Sequence, residues 1–245
     1  MALILNIETS ADVCSVALGR DSMPADLLTG TEERDHSRIL TLLIEEILKK
    51  NLLTMSDLEA VAVSEGPGSY TGLRIGVSTA KGITYALRIP LLAVSTLESM
   101  AASVAAGMAP GLRDRLGDQG LLCPMIDARR MEVYSAFYNM KGEQVTEIKP
   151  YVIGEDSFAE ERRRRKILYF GTGSEKCKGI FAGENDLFLD GVAPRADRLV
   201  PLAEKKFRRK EFADVAYFEP FYLKDFIATI PKDLLRTERK LQGKK

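Results

Sequence analysis

The chain opens twice. Leu3–Ile7 is a short apolar run of buried-strand character, followed by the polar turn Glu8-Thr9-Ser10-Ala11-Asp12 and a second strand-like run, Val13–Leu18. The scheme returns at Leu121–Ile126, with the turn Asp127-Ala128-Arg129-Arg130 and the run Val133–Tyr138, so that Ile7-Glu8 corresponds to Ile126-Asp127. A strand that ends on an acidic residue and doubles back is a supersecondary unit, and its recurrence implies two related halves. Strands and helices alternate after each copy, which makes the chain an α/β protein.

In the first half the pattern predicts a short strand at Ala25–Leu28 and a helix from an Asp35 N-cap to about Lys50. Leu40, Leu43, Ile44 and Ile47 form one stripe of that helix, and Ile39 and Leu42 widen it beyond a single core face. A strand at Leu58–Val63, a turn-rich loop over Gly66–Gly72, a helix over Leu73–Leu87, a strand at Leu91–Val94 and a helix over Thr96–Ala106 follow. Gly72, Gly76 and Ala80 recur every four residues, a smooth face that lets another backbone come close. Ala109–Gly120 is rich in Pro, Gly and charge and reads as a linker. The second half then predicts strands at Val145–Ile148 and Ile167–Phe170, helices at Ser157–Lys166 and Ala196–Lys210, and an extended stretch at Tyr217–Leu223. From Lys232 the tail is basic and expected to be loose. The expected division is 1–108, an N-terminal lobe; 109–211, a C-terminal lobe; and 212–245, a segment that packs back.

Across 245 residues, 35 basic side chains balance 35 acidic ones, which excludes a protein whose whole surface tracks nucleic acid. The balance is uneven: residues 1–100 hold 8 basic and 13 acidic residues, a net of −5, leaving 27 and 22, a net of +5. Cys14, Cys123 and Cys177 lie far apart with no CxxC spacing, so buried reduced thiols are expected rather than a zinc ribbon or a disulfide framework. No apolar run is long enough to span a membrane, and a cytoplasmic protein is expected.

The turns after strands bring together Glu8, Thr9, Ser10, Gly66, Gly68, Ser69, Asp127, Gly171 and Gly173 as a candidate nucleotide cleft, vestigial or working. The plainer alternative is that these glycines serve tight turns and close packing, since neither GxxxxGK[ST] nor GxGxxG is present. His36, the single histidine, excludes a multi-histidine metal site and reads as a packing or interface residue. Arg162–Lys166 and Lys205–Lys210 are basic clusters, read first as solvated helix faces and second as contacts for RNA phosphate or an acidic partner. Phe218, Phe221, Tyr222 and Phe226 read as anchors for the C-terminal segment.

Several stretches resemble the bacterial TsaB (formerly YeaZ) family: Ile7-Glu8-Thr9-Ser10, His36-Ser37-Arg38-Ile39-Leu40, Gly66-Pro67-Gly68-Ser69-Tyr70-Thr71-Gly72-Leu73-Arg74-Ile75-Gly76, Val94-Ser95-Thr96-Leu97, Ile126-Asp127-Ala128-Arg129 and Glu219-Pro220-Phe221-Tyr222-Leu223. The likeness runs through residues 1–138 and thinly beyond. It implies two duplicated lobes of the actin/Hsp70/sugar-kinase (ASKHA) type. It further implies a non-catalytic subunit in the formation of N6-threonylcarbamoyladenosine at position 37 of ANN-decoding tRNAs, paired with the catalytic paralogue TsaD and working with the ATPase TsaE. ATP would be used by other subunits, with no cofactor on this chain, tRNA would be met through the complex, and the chain alone would form a homodimer. Where the paralogue carries a His-Leu-Glu-Gly-His metal motif, this chain has Thr96-Leu97-Glu98-Ser99-Met100, and a hydroxyl and a thioether are poor replacements for two imidazoles. Pairing through the first two helices would use His36, Ile39, Leu40, Leu43, Ile47, Leu73, Gly76, Ala80 and Ile83. The alternative is an enzyme of the same fold, either an ATP-dependent phosphotransferase with Asp127 as its base or a metallopeptidase-like glycoprotease.

Overall fold

Side chains alternate along β1 (Leu3–Glu8), and both of its faces are buried. Leu3, Leu5 and Ile7 enter one apolar cluster, and Ile4 enters another on the opposite side of the sheet. A strand buried on both faces needs layers on both sides. The computed structural model, which describes residues 2–30 and 36–223, supplies them. Asp35, Phe226 and the tail from Lys232 lie outside the described residues.

β1 pairs antiparallel with β2 (Ser15–Arg20), which pairs with β3 (Met23–Thr29). On its other side β1 runs parallel to β4 (Ala60–Gly66), and β4 to β5 (Leu91–Ser95), giving the order β3-β2-β1-β4-β5. The second sheet repeats this strand for strand. β6 (Leu121–Asp127) pairs antiparallel with β7 (Glu132–Ser135), and β7 with β8 (Lys149–Val152). β6 also runs parallel to β9 (Ile167–Phe170), and β9 to β10 (Asp186–Leu189), giving the order β10-β9-β6-β7-β8. Glu8 and Asp127 are the last residues of the equivalent strands β1 and β6.

Helices α1 (His36–Lys50) and α2 (Tyr70–Leu87) cover one face of the first sheet. The connecting helices are exchanged. α3 (Thr96–Gly107) leaves the first sheet and packs Leu97, Met100, Ala101 and Val104 against Leu122, Ile126 and Leu168 of the second. In return, α6 (Val200–Arg209) leaves the second sheet, and Leu199 and Ala203 cover Ile4, Ala60, Ala62 and Val94 of the first. The division into 1–108 and 109–211 is therefore a division of sheets and not of helices. After α6 the chain returns to the first lobe: Ala213 N–H donates to Leu91 O at 2.8 Å, and Phe221 N–H to Glu65 O at 2.7 Å.

Several local expectations change. Residues 109–120 contain a short helix, α4 (Pro110–Leu116), with proline in its first turn, where its missing N–H is harmless. The strand expected at Val145–Ile148 forms instead at β8, and β10 was not foreseen. The helix expected over Ser157–Lys166 shrinks to α5 (Ala159–Arg164). Ala196–Lys210 divides into a 3-10 turn (Ala196–Arg198) and α6, and β7 ends at Ser135 short of Tyr138. All three cysteines are buried and free. Among the described residues no helix is long and apolar enough to cross a membrane.

Candidate functional site

At the end of β1 the Glu8 side chain folds back on its own turn. Its Oε1 accepts the Ser10 N–H at 2.7 Å and the Ser64 hydroxyl at 2.7 Å, while Oε2 is buried without a hydrogen-bond partner among the described residues. Burial pushes the carboxyl's pKa above its ordinary value, against the opposing pull of the Ser10 and Ser64 donors. Thr9 and Ser10 are equally buried. What covers them is α2. Ser69 N–H donates to Ser10 O at 2.7 Å and the Ser69 hydroxyl caps the helix by accepting Gly72 N–H at 3.3 Å, so α2 begins at Tyr70 rather than Leu73. A Cβ on Gly68 would overlap Ser10, one on Gly72 the Thr9 carbonyl, and one on Gly76 the Thr9 hydroxyl. The smooth face of α2 is thus occupied by this chain's own turn. His36 Nε2 lies 3.0 Å from Asp12 O and its ring borders Gly72, which closes the same region from α1.

Glu8, Thr9, Ser10, Gly68 and Ser69 do come together, but as a packed joint and not as the wall of an open cleft. Gly66 turns to the C-terminal segment, where a Cβ would stand 3.0 Å from Phe221 O. Asp127, Gly171 and Gly173 gather at the matching end of the second sheet. There Asp127 N–H donates to the Thr172 hydroxyl at 3.1 Å, and Asp127 Oδ1 accepts Arg129 N–H at 2.6 Å and Lys176 Nζ at 2.8 Å. Its carboxylate is engaged in holding a turn.

Thr96 and Met100 lie one turn apart on α3, both fully buried, and Met100 sits in the apolar cluster of the second lobe. Among the described residues no three His, Cys, Asp or Glu side chains are grouped so as to hold a metal ion. The sequence assigns Glu65 no role; burial raises its pKa, with Lys206 pulling it down and Glu98 pushing it further up, so this β4 carboxyl feels charges carried by both exchanged helices, α3 and α6.

The helix faces require a further correction. Leu40, Leu43, Ile47, Leu73, Gly76 and Ala80, chosen as pairing positions, point into this chain's own core, and His36 is 8% exposed. Ile39 and Ile83 sit at the rim of that core. The outward positions are others: Leu42 is 54% and Tyr85 81% exposed, with Ser78, Gly82 and Ala86 exposed beside Tyr85. Arg74 and Lys81 are the only charged residues of α2, and Lys81 Nζ is spent on the carbonyls of Ala216 and Phe218 at 3.2 and 3.0 Å. The outer face of α2 is therefore uncharged around Gly82, a signal available from the spacing of Ser78, Gly82, Tyr85 and Ala86. Of the C-terminal aromatics, Phe218 packs on the core, while Phe221 and Tyr222 stay partly exposed, Tyr222 resting 4.9 Å from the Tyr70 ring. The Arg162–Lys166 cluster is split: Arg162 grips Asp186, Arg164 pairs with Glu160, and Lys166 Nζ donates to Arg115 O.

Residues 31–232 match the family model of TsaD, tRNA N6-adenosine threonylcarbamoyltransferase. The tRNA threonylcarbamoyladenosine biosynthesis protein TsaB of Bacillus subtilis is 33% identical over 228 residues, spanning 90% of this chain and 93% of that one. A crystal structure from Pseudomonas aeruginosa, of a protein similar to the peptidase YeaZ, superposes with a TM-score of 0.74 at 26% identity over 91% of this chain and all of that one. The activator of 2-hydroxyisocaproyl-CoA dehydratase from Clostridium difficile, solved with bound ADPNP, shares the fold at a TM-score of 0.50 and 11% identity, over 86% of this chain and 98% of that one. The architecture is the duplicated ASKHA type, and the chain belongs to the TsaB (YeaZ) family, related in sequence to TsaD, with a role in tRNA threonylcarbamoyladenosine biosynthesis.

Proposed function

We propose that this chain is a non-catalytic pairing subunit that supports the catalytic TsaD paralogue, in a complex where TsaE supplies ATPase action and tRNA is the substrate. The observation that carries the proposal is the closure of the Glu8 turn beneath α2, because the groups that would cradle a nucleotide in the first lobe are spent on internal packing. The loss of imidazole at Thr96 and Met100 supports it. The pairing surface is the outer face of α1 and α2 around Leu42, Gly82, Tyr85 and Ala86, and it also holds two copies together when the chain is alone. An uncharged helix face gains about 25 cal/mol for each Å² of apolar area it buries, before the entropy of association is subtracted.

The test is a titration of the purified chain with the paralogue from the same cell, with and without Gly82→Arg. Gly82 has open space around its Cβ position, so the arginine leaves the monomer intact. Loss of pairing by a folded Gly82→Arg protein is the expected result. Normal pairing by that variant, or nucleotide turnover by this chain alone, overturns the proposal, and turnover would restore the phosphotransferase alternative.

A further inference from the structure

The turn between β6 and β7 is built from residues that its backbone disfavours. Arg129 and Arg130 hold φ of 69° and 50°, two successive residues in the left-handed region. Such turns ordinarily take Asn-Gly or Asp-Gly. The turn between β2 and β3 also has two successive residues in this region, Asp21 and Ser22 at 52° and 65°, and aspartate is among the residues that enter it readily. Arginine gains nothing from it.

The conformation is imposed from outside the turn. Lys176 Nζ donates to Asp127 Oδ1 at 2.8 Å, to Arg130 O at 2.6 Å and to Glu132 O at 3.2 Å. Asp127 Oδ1 also takes the Arg129 N–H. Backbone and carboxylate are thereby satisfied, and the two guanidiniums are left over. Arg129 and Arg130 are both exposed, and neither is in an ion pair among the described residues. A strained turn that persists against residue preference points to a use for the side chains.

We infer that Arg129 and Arg130 are a contact site for the phosphodiester backbone of RNA. Guanidinium groups bind phosphate oxygens in a fixed fork, and such contacts position a nucleic acid without reading its sequence. The arginines stand at a hairpin tip beside exposed Met131, whereas a 500 Å³ cavity of this lobe lies elsewhere, along Asp156, Arg162, Asn185 and Asp186. A free nucleotide favours a concave site, while an extended polyanion does not need one. The remainder of the chain after residue 100, at +5, carries the matching sign. The site rests on the chain's place in tRNA modification and is independent of the pairing proposed above.

The experiment measures binding of an unmodified tRNA transcript to the full chain, alone and with the catalytic paralogue, between about 50 and 200 mM salt. Glycine fits both φ values, so Arg129→Gly/Arg130→Gly keeps or raises the melting temperature and leaves pairing unchanged. Its RNA affinity falls about tenfold or more, and the slope of log affinity against log salt becomes shallower by about 2. Unchanged affinity and slope in the folded double variant overturn the inference. So does absence of RNA binding by the parent protein in both forms, or a loss confined to a nucleoside triphosphate probe. A double variant that loses pairing with RNA affinity intact on the chain alone likewise overturns it, without touching the Gly82 test.

Discussion

The Thr9 hydroxyl stands where a side chain on Gly76 would begin. A methyl group there overpacks a joint that is closed on both sides, and such insertions cost about 1–3 kcal/mol. Gly82, on the same helix, faces open space, and alanine there removes a helix-interior glycine, worth about 1 kcal/mol in favour of the fold. Urea denaturation should therefore move the midpoint down for Gly76→Ala and up for Gly82→Ala. Equal midpoints would mean that the Thr9 turn yields freely.

Glu8 should make stability fall with pH where most carboxylates make it rise. Its folded pKa is raised above 4.5 by burial, so the folded chain keeps a proton that the unfolded chain releases. The contribution is fully present below the unfolded value and is lost as pH climbs toward the folded one. Glu8→Gln keeps an acceptor for Ser10 and Ser64 and has no proton to lose. Plotted as variant minus parent, unfolding free energy should increase from about pH 4.5 upward; a flat difference would place the carboxyl at its ordinary pKa.

The duplicated unit was legible because β1 and β6 each end on an acidic residue, at Glu8 and Asp127, and fill both faces with apolar side chains. The exchange of α3 and α6 was not, because an amphipathic helix carries the same stripe whichever sheet it covers. β10 escaped for a related reason: all four of its residues are half-buried, which blurs the period-two signal. Most of the residues expected for pairing are buried in the chain itself, on a simple ground. Apolar spacing selects the face that meets a sheet, and in α1 and α2 that face belongs to the chain's own core. On α2 the outward face around Gly82 is set apart instead by missing charge.

Arg162 should matter to stability more than its neighbours Arg163 and Arg164. Its Nε and Nη2 reach Asp186 at 3.0 and 2.9 Å, and its guanidinium lies 4.4 Å over the Phe181 ring. Burial pushes the Asp186 carboxyl up, but Arg162 and the Gly183 N–H together hold it below its ordinary value. Removing the guanidinium strands a carboxylate that is 2% exposed. Arg162→Ala should cost about 3 kcal/mol in denaturant melts, and Arg164→Ala less than about 1. Comparable losses from the two would mean that the Asp186 pair is no stronger than a surface pair.

Lys81 is the polar link between α2 and the returning segment, and its removal should loosen that segment selectively. Its ammonium holds the Ala216 and Phe218 carbonyls, while Val215 and Phe218 pack on the first-lobe core and Phe221 N–H bonds Glu65 O. Hydrogen bonds to a charged donor contribute about 1.5–3 kcal/mol, and one such contribution lost from local opening speeds amide exchange by roughly tenfold to a hundredfold. In Lys81→Met, exchange at Ala213 and Phe221 should accelerate by that factor, while amides of β1 and β4 keep their parental rates because the sheet gains its stability from other contacts. Acceleration spread evenly through the first lobe would show instead that the segment is part of the lobe's cooperative unit, and unchanged exchange at Phe221 would leave the attachment to the apolar anchors and the two backbone hydrogen bonds, with nothing from Lys81.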